Sequence, residues 1–117
     1  MNSRNKGKRG ELELANILKT YGYNARRGQQ YCGVSGDADV IGLPGIHIEC
    51  KRVEQLNVSK AYAQAEHDAG YGSKPAVFHR KNGEQWLVTM SLDEWMCLYK
   101  AWEKENERIY KDSQVAP

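Results

Sequence analysis

The fold is read from Asp37-Ala38-Asp39-Val40-Ile41-Gly42-Leu43-Pro44-Gly45-Ile46-His47-Ile48-Glu49-Cys50-Lys51-Arg52-Val53-Glu54. Two strand-like runs flank Leu43-Pro44-Gly45-Ile46, where proline presets φ at the second position of a turn and glycine accepts positive φ at the third. The stretch predicts a β-hairpin. In its second arm Ile46, Ile48 and Cys50 alternate with His47, Glu49 and Lys51, so a period of two sends the apolar set to one face and the polar set to the other. Glu49 and Lys51 thus point the same way, and Asp39, at the head of the first arm, pairs across the hairpin toward Glu49.

Upstream, Leu12, Leu14, Ala15, Ile17, Leu18 and Tyr21 fall at helical spacing, which predicts a helix over 10–21 closed by Gly22. A short strand is expected over 23–27, then a patternless loop over 28–36. Downstream, Asn57 caps a helix over 58–69 that Gly70 and Gly72 end. A second hairpin, 75–80 with 85–90, turns at Asn82-Gly83. Ser91-Leu92-Asp93-Glu94 is a capping box opening a last helix, whose apolar face holds Leu92, Trp95, Met96, Tyr99 and Trp102. The expected order is α-β-β-β-α-β-β-α, a mixed α/β domain in which the aromatic face of the last helix is core, with surplus bulk for a dimer contact.

At 117 residues one domain is expected, with 1–7 and 112–117 as loose ends. Hydrophobic residues are 40% and charged residues 27%; seven Tyr and three Trp offset a single Phe, so a modest core can be filled and disorder of the body is excluded. The absence of a long apolar run or of a signal-like start predicts a cytoplasmic protein. Cys32, Cys50 and Cys97 form neither a disulfide framework nor a zinc motif. The net charge of +2 is uneven: residues 1–30 carry +5, from Arg4, Lys6, Lys8, Arg9, Lys19, Arg26 and Arg27 against Glu11 and Glu13. Such a concentration suits a polyanion, and equally a solvated tail.

Glu49-x-Lys51 alone is weak, since that pattern arises by chance in about four of ten chains this long. Its setting makes it informative. Asp39 and Glu49 brought together would repel unless a divalent cation lay between them, and oxygen-only ligands suit Mg²⁺ or Mn²⁺. The Cys50 carbonyl can complete the shell. Lys51 beside them can orient a water and stabilise developing negative charge, which makes the set a candidate phosphodiesterase centre.

Gly7, Glu11, Asp39 and Glu49-x-Lys51 in this frame resemble the PD-(D/E)XK nuclease superfamily, and within it the archaeal-type Holliday junction resolvases and small phage and prophage nucleases. Lys6-Gly7, Glu11, Leu14 and Gly22-Tyr23 keep the spacing of the resolvases' first helix. The resemblance spans about residues 4–80 and implies a restriction-endonuclease-like fold. It also implies a Mg²⁺-dependent endonuclease with Asp39 and Glu49 as metal ligands, Lys51 as catalytic lysine, Glu11 acting on metal through water, and Arg27 on a phosphate. Leu12 stands where the archaeal enzymes favour a basic residue, and Ala38 where they favour proline. Substrate choice is what these departures bear on.

The expected partner is DNA, reached by Lys6, Lys8, Arg9, Arg26, Arg27 and, on the helix after the motif, Gln64. Branched DNA such as a four-way junction is the first substrate choice; linear or nicked duplex, or an idle binding module of the same fold, are the alternatives. Two cuts on opposed strands need two carboxylate clusters, so a symmetric homodimer is expected, joined by the Trp95 and Trp102 helix or the second hairpin. Asp37 reads as a loop carboxylate, Cys50 as a small buried hydrophobe, and His47, His67 and His79 show no metal-ligand spacing.

Overall fold

The structure, a computed structural model, describes residues 3–28 and 38–107. Three helices, α1 (Ser3–Thr20), α2 (Val58–Ala69) and α3 (Leu92–Glu105), accompany five strands: β1 (Arg26–Arg27), β2 (Val40–Ile41), β3 (Ile46–Arg52), β4 (Lys74–Arg80) and β5 (Leu87–Thr89). The sheet runs β1-β2-β3-β4-β5 in space, antiparallel except for β3 and β4. Those two are parallel because α2 connects them, carrying the chain back to the starting end of the sheet.

Both expected hairpins are present. Pro44-Gly45 turns as read: Gly45 takes φ 87° and the Ile46 amide donates to the Leu43 carbonyl at 3.0 Å. The helix caps are also as read, Asn57 accepting from the Lys60 amide and Ser91 from the Glu94 amide. Element ends differ. The first helix starts at Ser3 rather than at residue 10, because its polar opening turns need no apolar stripe to stay helical once the later turns are packed. Pairing in the edge strands shrinks to two residues in β1 and three in β5. Residues 29–37, with the expected loop, Cys32 and Asp37, and residues 112–117 lie outside the described residues.

The sheet carries a helix on each face. Leu14, Ala15 and Leu18 of α1 pack on Ala25, Val40, Ile48 and Cys50, while Ala61 and Ala65 of α2 pack on Val77. A fully buried Leu or Ile contributes about 2 kcal/mol, and an Ala much less, so the α1 face carries most of the burial. Alternation along β3 holds, but its polar face is not solvated: α2 covers it, leaving His47 6% and Glu49 8% exposed. Gly10 lets α1 approach β3 closely, since a Cβ there would lie 2.4 Å from the Arg52 Cβ.

The last helix departs from expectation. No residue of α3 is buried; Trp95 and Trp102, expected in the core, are 48% and 49% exposed, while Met96 and Tyr99 are only partly covered. α1 and α2 already cover the central strands, and α3 does not close over β5, where Leu87 and Val88 stay 52% and 55% exposed. Its aromatic rings pack on one another instead, Trp95 on Tyr99 at 5.2 Å and Tyr99 on Trp102 at 5.7 Å between centroids. An ion pair of 3.1 Å between Lys74 of β4 and Glu94 ties its first turn to the sheet.

Candidate active site

Antiparallel pairing sets Val40 against Ile48, so one step along the register places Asp39 against Glu49. The Asp39 backbone is held on both sides, its amide donating to the Ile48 carbonyl at 3.0 Å and its carbonyl accepting from the Gly28 amide at 2.9 Å. Its carboxylate accepts the Cys50 amide at 2.8 Å and shares a hydrogen bond with Glu49. Glu49 is the more enclosed partner. Burial, then the Asp39 charge, push its carboxyl up to about 7, against an opposing pull from Lys51. Lys51 Nζ lies 3.7 Å from Glu49 Oε1.

Glu11, on α1, also belongs to this neighbourhood. Burial raises its pKa, its hydrogen bond with Arg27 lowers it, and the charges of Asp39 and Lys51 both act on it. Arg27 Nε donates to Glu11 Oε1 at 2.8 Å. Glu11 from α1, Asp39 at the head of β2, and Glu49 and Lys51 of β3 thus share one neighbourhood. Cys50 is buried, and burial pushes its thiol far up, so its side chain is inert while its carbonyl stays on the strand beside the carboxylates.

Two adjacent carboxyl groups repel when both are ionised, so the site gains from a cation. The donor set is all oxygen, which fits a hard divalent ion. Among the described residues no three His, Cys, Asp or Glu side chains form a ligand cluster, so Asp39 and Glu49 would hold the ion with the Cys50 carbonyl and water.

The remaining expected contacts are dispersed. Gln64 is exposed and its amide donates to Asp68 at 2.8 Å, one turn further along α2. Lys6 lies 3.9 Å from Glu54. Lys8, Arg9 and Arg26 are exposed. A second polar cluster was not anticipated from the sequence: Glu13 accepts the Trp86 indole N–H at 2.9 Å and pairs with Arg80 and Arg52. Its signal was available, because Glu13 falls on the helical stripe of Gly10, Leu14 and Ile17 that faces the sheet. Asp68 was also missed; its charge reaches Glu49 and it is itself held down by Gln64 and His67.

No known family profile and no curated protein matches this chain. Among solved structures, a Holliday junction resolvase, Hjc of the archaeal hyperthermophile Archaeoglobus fulgidus, matches with a TM-score of 0.51 and 20% identity. The match covers 70% of this chain and 74% of the resolvase. The chain has the resolvase fold. What the two share is the fold, here a five-stranded mixed sheet with three helices. No helix of the described residues is long and apolar enough to cross a membrane.

Proposed function

We propose that this protein is a divalent-metal-dependent DNA endonuclease, and that its substrate is branched DNA of the four-way-junction class. The observation that carries the reading is the Asp39–Glu49 carboxyl pair, anchored by the Cys50 amide and flanked by Lys51, in a fold it shares with a Holliday junction resolvase. Mg²⁺, with Mn²⁺ as substitute, is the ion this donor set favours. Bound there it would neutralise charge at the scissile phosphate and make a nearby water more acidic.

The chain's own residues divide the remaining work. Asp39 is the fixed ligand, because its backbone and carboxylate are both hydrogen-bonded in place. Glu49 is the adjustable one: its buried carboxyl must lose a proton to act, and Lys51 at 3.7 Å favours that loss. The Lys51 ammonium carries no free lone pair for metal, so it serves the attacking water and the developing oxyanion. Arg27, held by Glu11, is set to meet a phosphate oxygen. A homodimer supplies the second centre that paired cuts require.

The test is direct. Purified protein is incubated with Mg²⁺ and a four-way junction, a flap, a linear duplex and a single strand of matched sequence, each with and without EDTA. Metal-dependent cutting with the junction preferred is expected. Cutting confined to linear duplex would replace the resolvase reading by that of a general nuclease, and DNA binding without any cutting would make the chain an idle binding module.

A further inference from the structure

Beyond the carboxylate cluster, a row of side chains crosses the sheet on the face that bears Glu49. Parallel pairing sets Lys51 of β3 beside His79 of β4, and antiparallel pairing sets His79 beside Leu87 of β5. Directly paired residues share a face, and strands lie about 4.8 Å apart, so Leu87 lies about 10 Å from Lys51 at the Cα level. The row ends in an open groove of about 550 Å³ lined by His79, Arg80, Lys81, Glu84, Gln85 and Leu87. That volume lies within the ~300–1,000 Å³ usual for small-ligand clefts.

The lining has the chemistry of a nucleotide site. Leu87, 52% exposed, offers an apolar surface to a base or sugar. Gln85 and Lys81 are exposed and supply an amide that can donate and accept, and an ammonium for phosphate. His79 is oriented by Thr89, whose hydroxyl lies 2.8 Å from its Nε2, and burial lowers its pKa. Arg80 is committed to Glu13 and to the Glu84 carbonyl. Glu84 is the one acidic group of the lining, and it disfavours a groove filled with phosphates alone. One unpaired nucleotide, its base on Leu87 and its phosphate toward Lys81, satisfies both the apolar and the charged parts.

We propose that this groove binds an unpaired nucleotide of the substrate strand, one that leaves the duplex beside the phosphate held at Lys51. The inference rests on the DNA reading above and deepens it: the groove selects DNA whose strands part at the cut over intact duplex. An intact duplex keeps its bases stacked and paired, and cannot lay one on Leu87 without the cost of unstacking.

The test compares wild type with the double variant Lys81→Ala, Gln85→Ala, both positions exposed and outside the carboxylate cluster. Fluorescence anisotropy in Ca²⁺ reads the Kd for a flap and for a linear duplex of the same sequence. Wild type is expected to prefer the flap. The variant should lose about tenfold on the flap and no more than about twofold on the duplex, from the loss of one polar base contact and one phosphate contact. Leu87→Ser should lose flap affinity in the same selective way. Equal losses on both DNAs, or none, overturn the groove while leaving the nuclease reading intact. A wild-type protein that binds none of these DNAs overturns the DNA reading and the groove with it.

Discussion

Asp39 and Glu49 differ in what holds them, and the difference sets how their variants should behave. Asp39→Asn keeps an oxygen to accept the Cys50 amide but removes the charge; Asp39→Ala removes both. Cleavage should fall at least a hundredfold in each, at ~3 kcal/mol for one such electrostatic contact, while thermal stability falls only in the alanine variant. Comparable cleavage by Asp39→Asn and wild type would remove Asp39 from the metal site. Glu49 makes a separate prediction for the metal-free protein. Its carboxyl rises from an ordinary 4.5 to about 7 on folding, so between those values the folded chain binds the extra proton. Stability must then fall as pH rises through that window. Melting in EDTA from pH 4.5 to 8 should show the decline, and Glu49→Gln should flatten it; an unchanged slope in that variant would place the titrating group elsewhere.

Among the elements, the contact of α1 with β3 couples packing to the candidate site, because α1 carries both Gly10, which faces Arg52 of the strand, and Glu11, which holds Arg27 beside the carboxylates. A methyl at residue 10 would meet the Arg52 Cβ at 2.4 Å, far inside contact distance. Gly10→Ala should push the helix outward at a cost of about 1–3 kcal/mol, read by urea denaturation, and should lower cleavage through Glu11 and Arg27. Stability equal to wild type would show that α1 can shift freely. The hairpins, the crossover helix and the carboxylate set were legible because each rests on local rules: period-two alternation, a Pro-Gly or Asn-Gly turn, a capping residue. The cover over Glu49 was not, since alternation along β3 separates two faces without saying which of them a distant helix will bury. The partner of Gln64 was not legible either: helical phase places it on α2, but that its amide engages Asp68, four residues on, is seen only in the structure. The Glu13 cluster needed pairing across residues far apart in the chain, joining Trp86 and Arg80 to the first helix.

At the scale of the whole molecule, basic charge and apolar surface lie on different parts. The N-terminal surplus is partly spent within the protein, Lys6 on Glu54 and Arg27 on Glu11, which leaves Lys19 exposed at the end of α1 and the adjacent pair Lys8 and Arg9 exposed nearer its start. Replacing both by Ala should flatten the salt dependence of DNA binding by nearly two units of log–log slope, at about −0.9 per phosphate. An unaltered slope would make them a solvated face. The apolar surplus sits on α3. A lone 14-residue helix is marginal in water, and this one exposes Leu92, Trp95, Leu98 and Trp102. Leu92, Trp95, Tyr99 and Trp102 are spaced three, four and three apart, the spacing of a seam between two helices. The helix is also net acidic, with Asp93, Glu94, Glu103 and Glu105 against Lys100 and Lys104, so it is not a surface for DNA. A second copy of the chain is the occupant these features suit, and it answers the need for two centres. Sedimentation at micromolar concentration should give a dimer, and Trp95→Glu a monomer that retains the Asp39–Glu49 site, binds DNA, and nicks a junction once where wild type makes paired cuts. A wild-type monomer that still makes paired cuts would separate the two-cut requirement from symmetry and leave α3 for another partner.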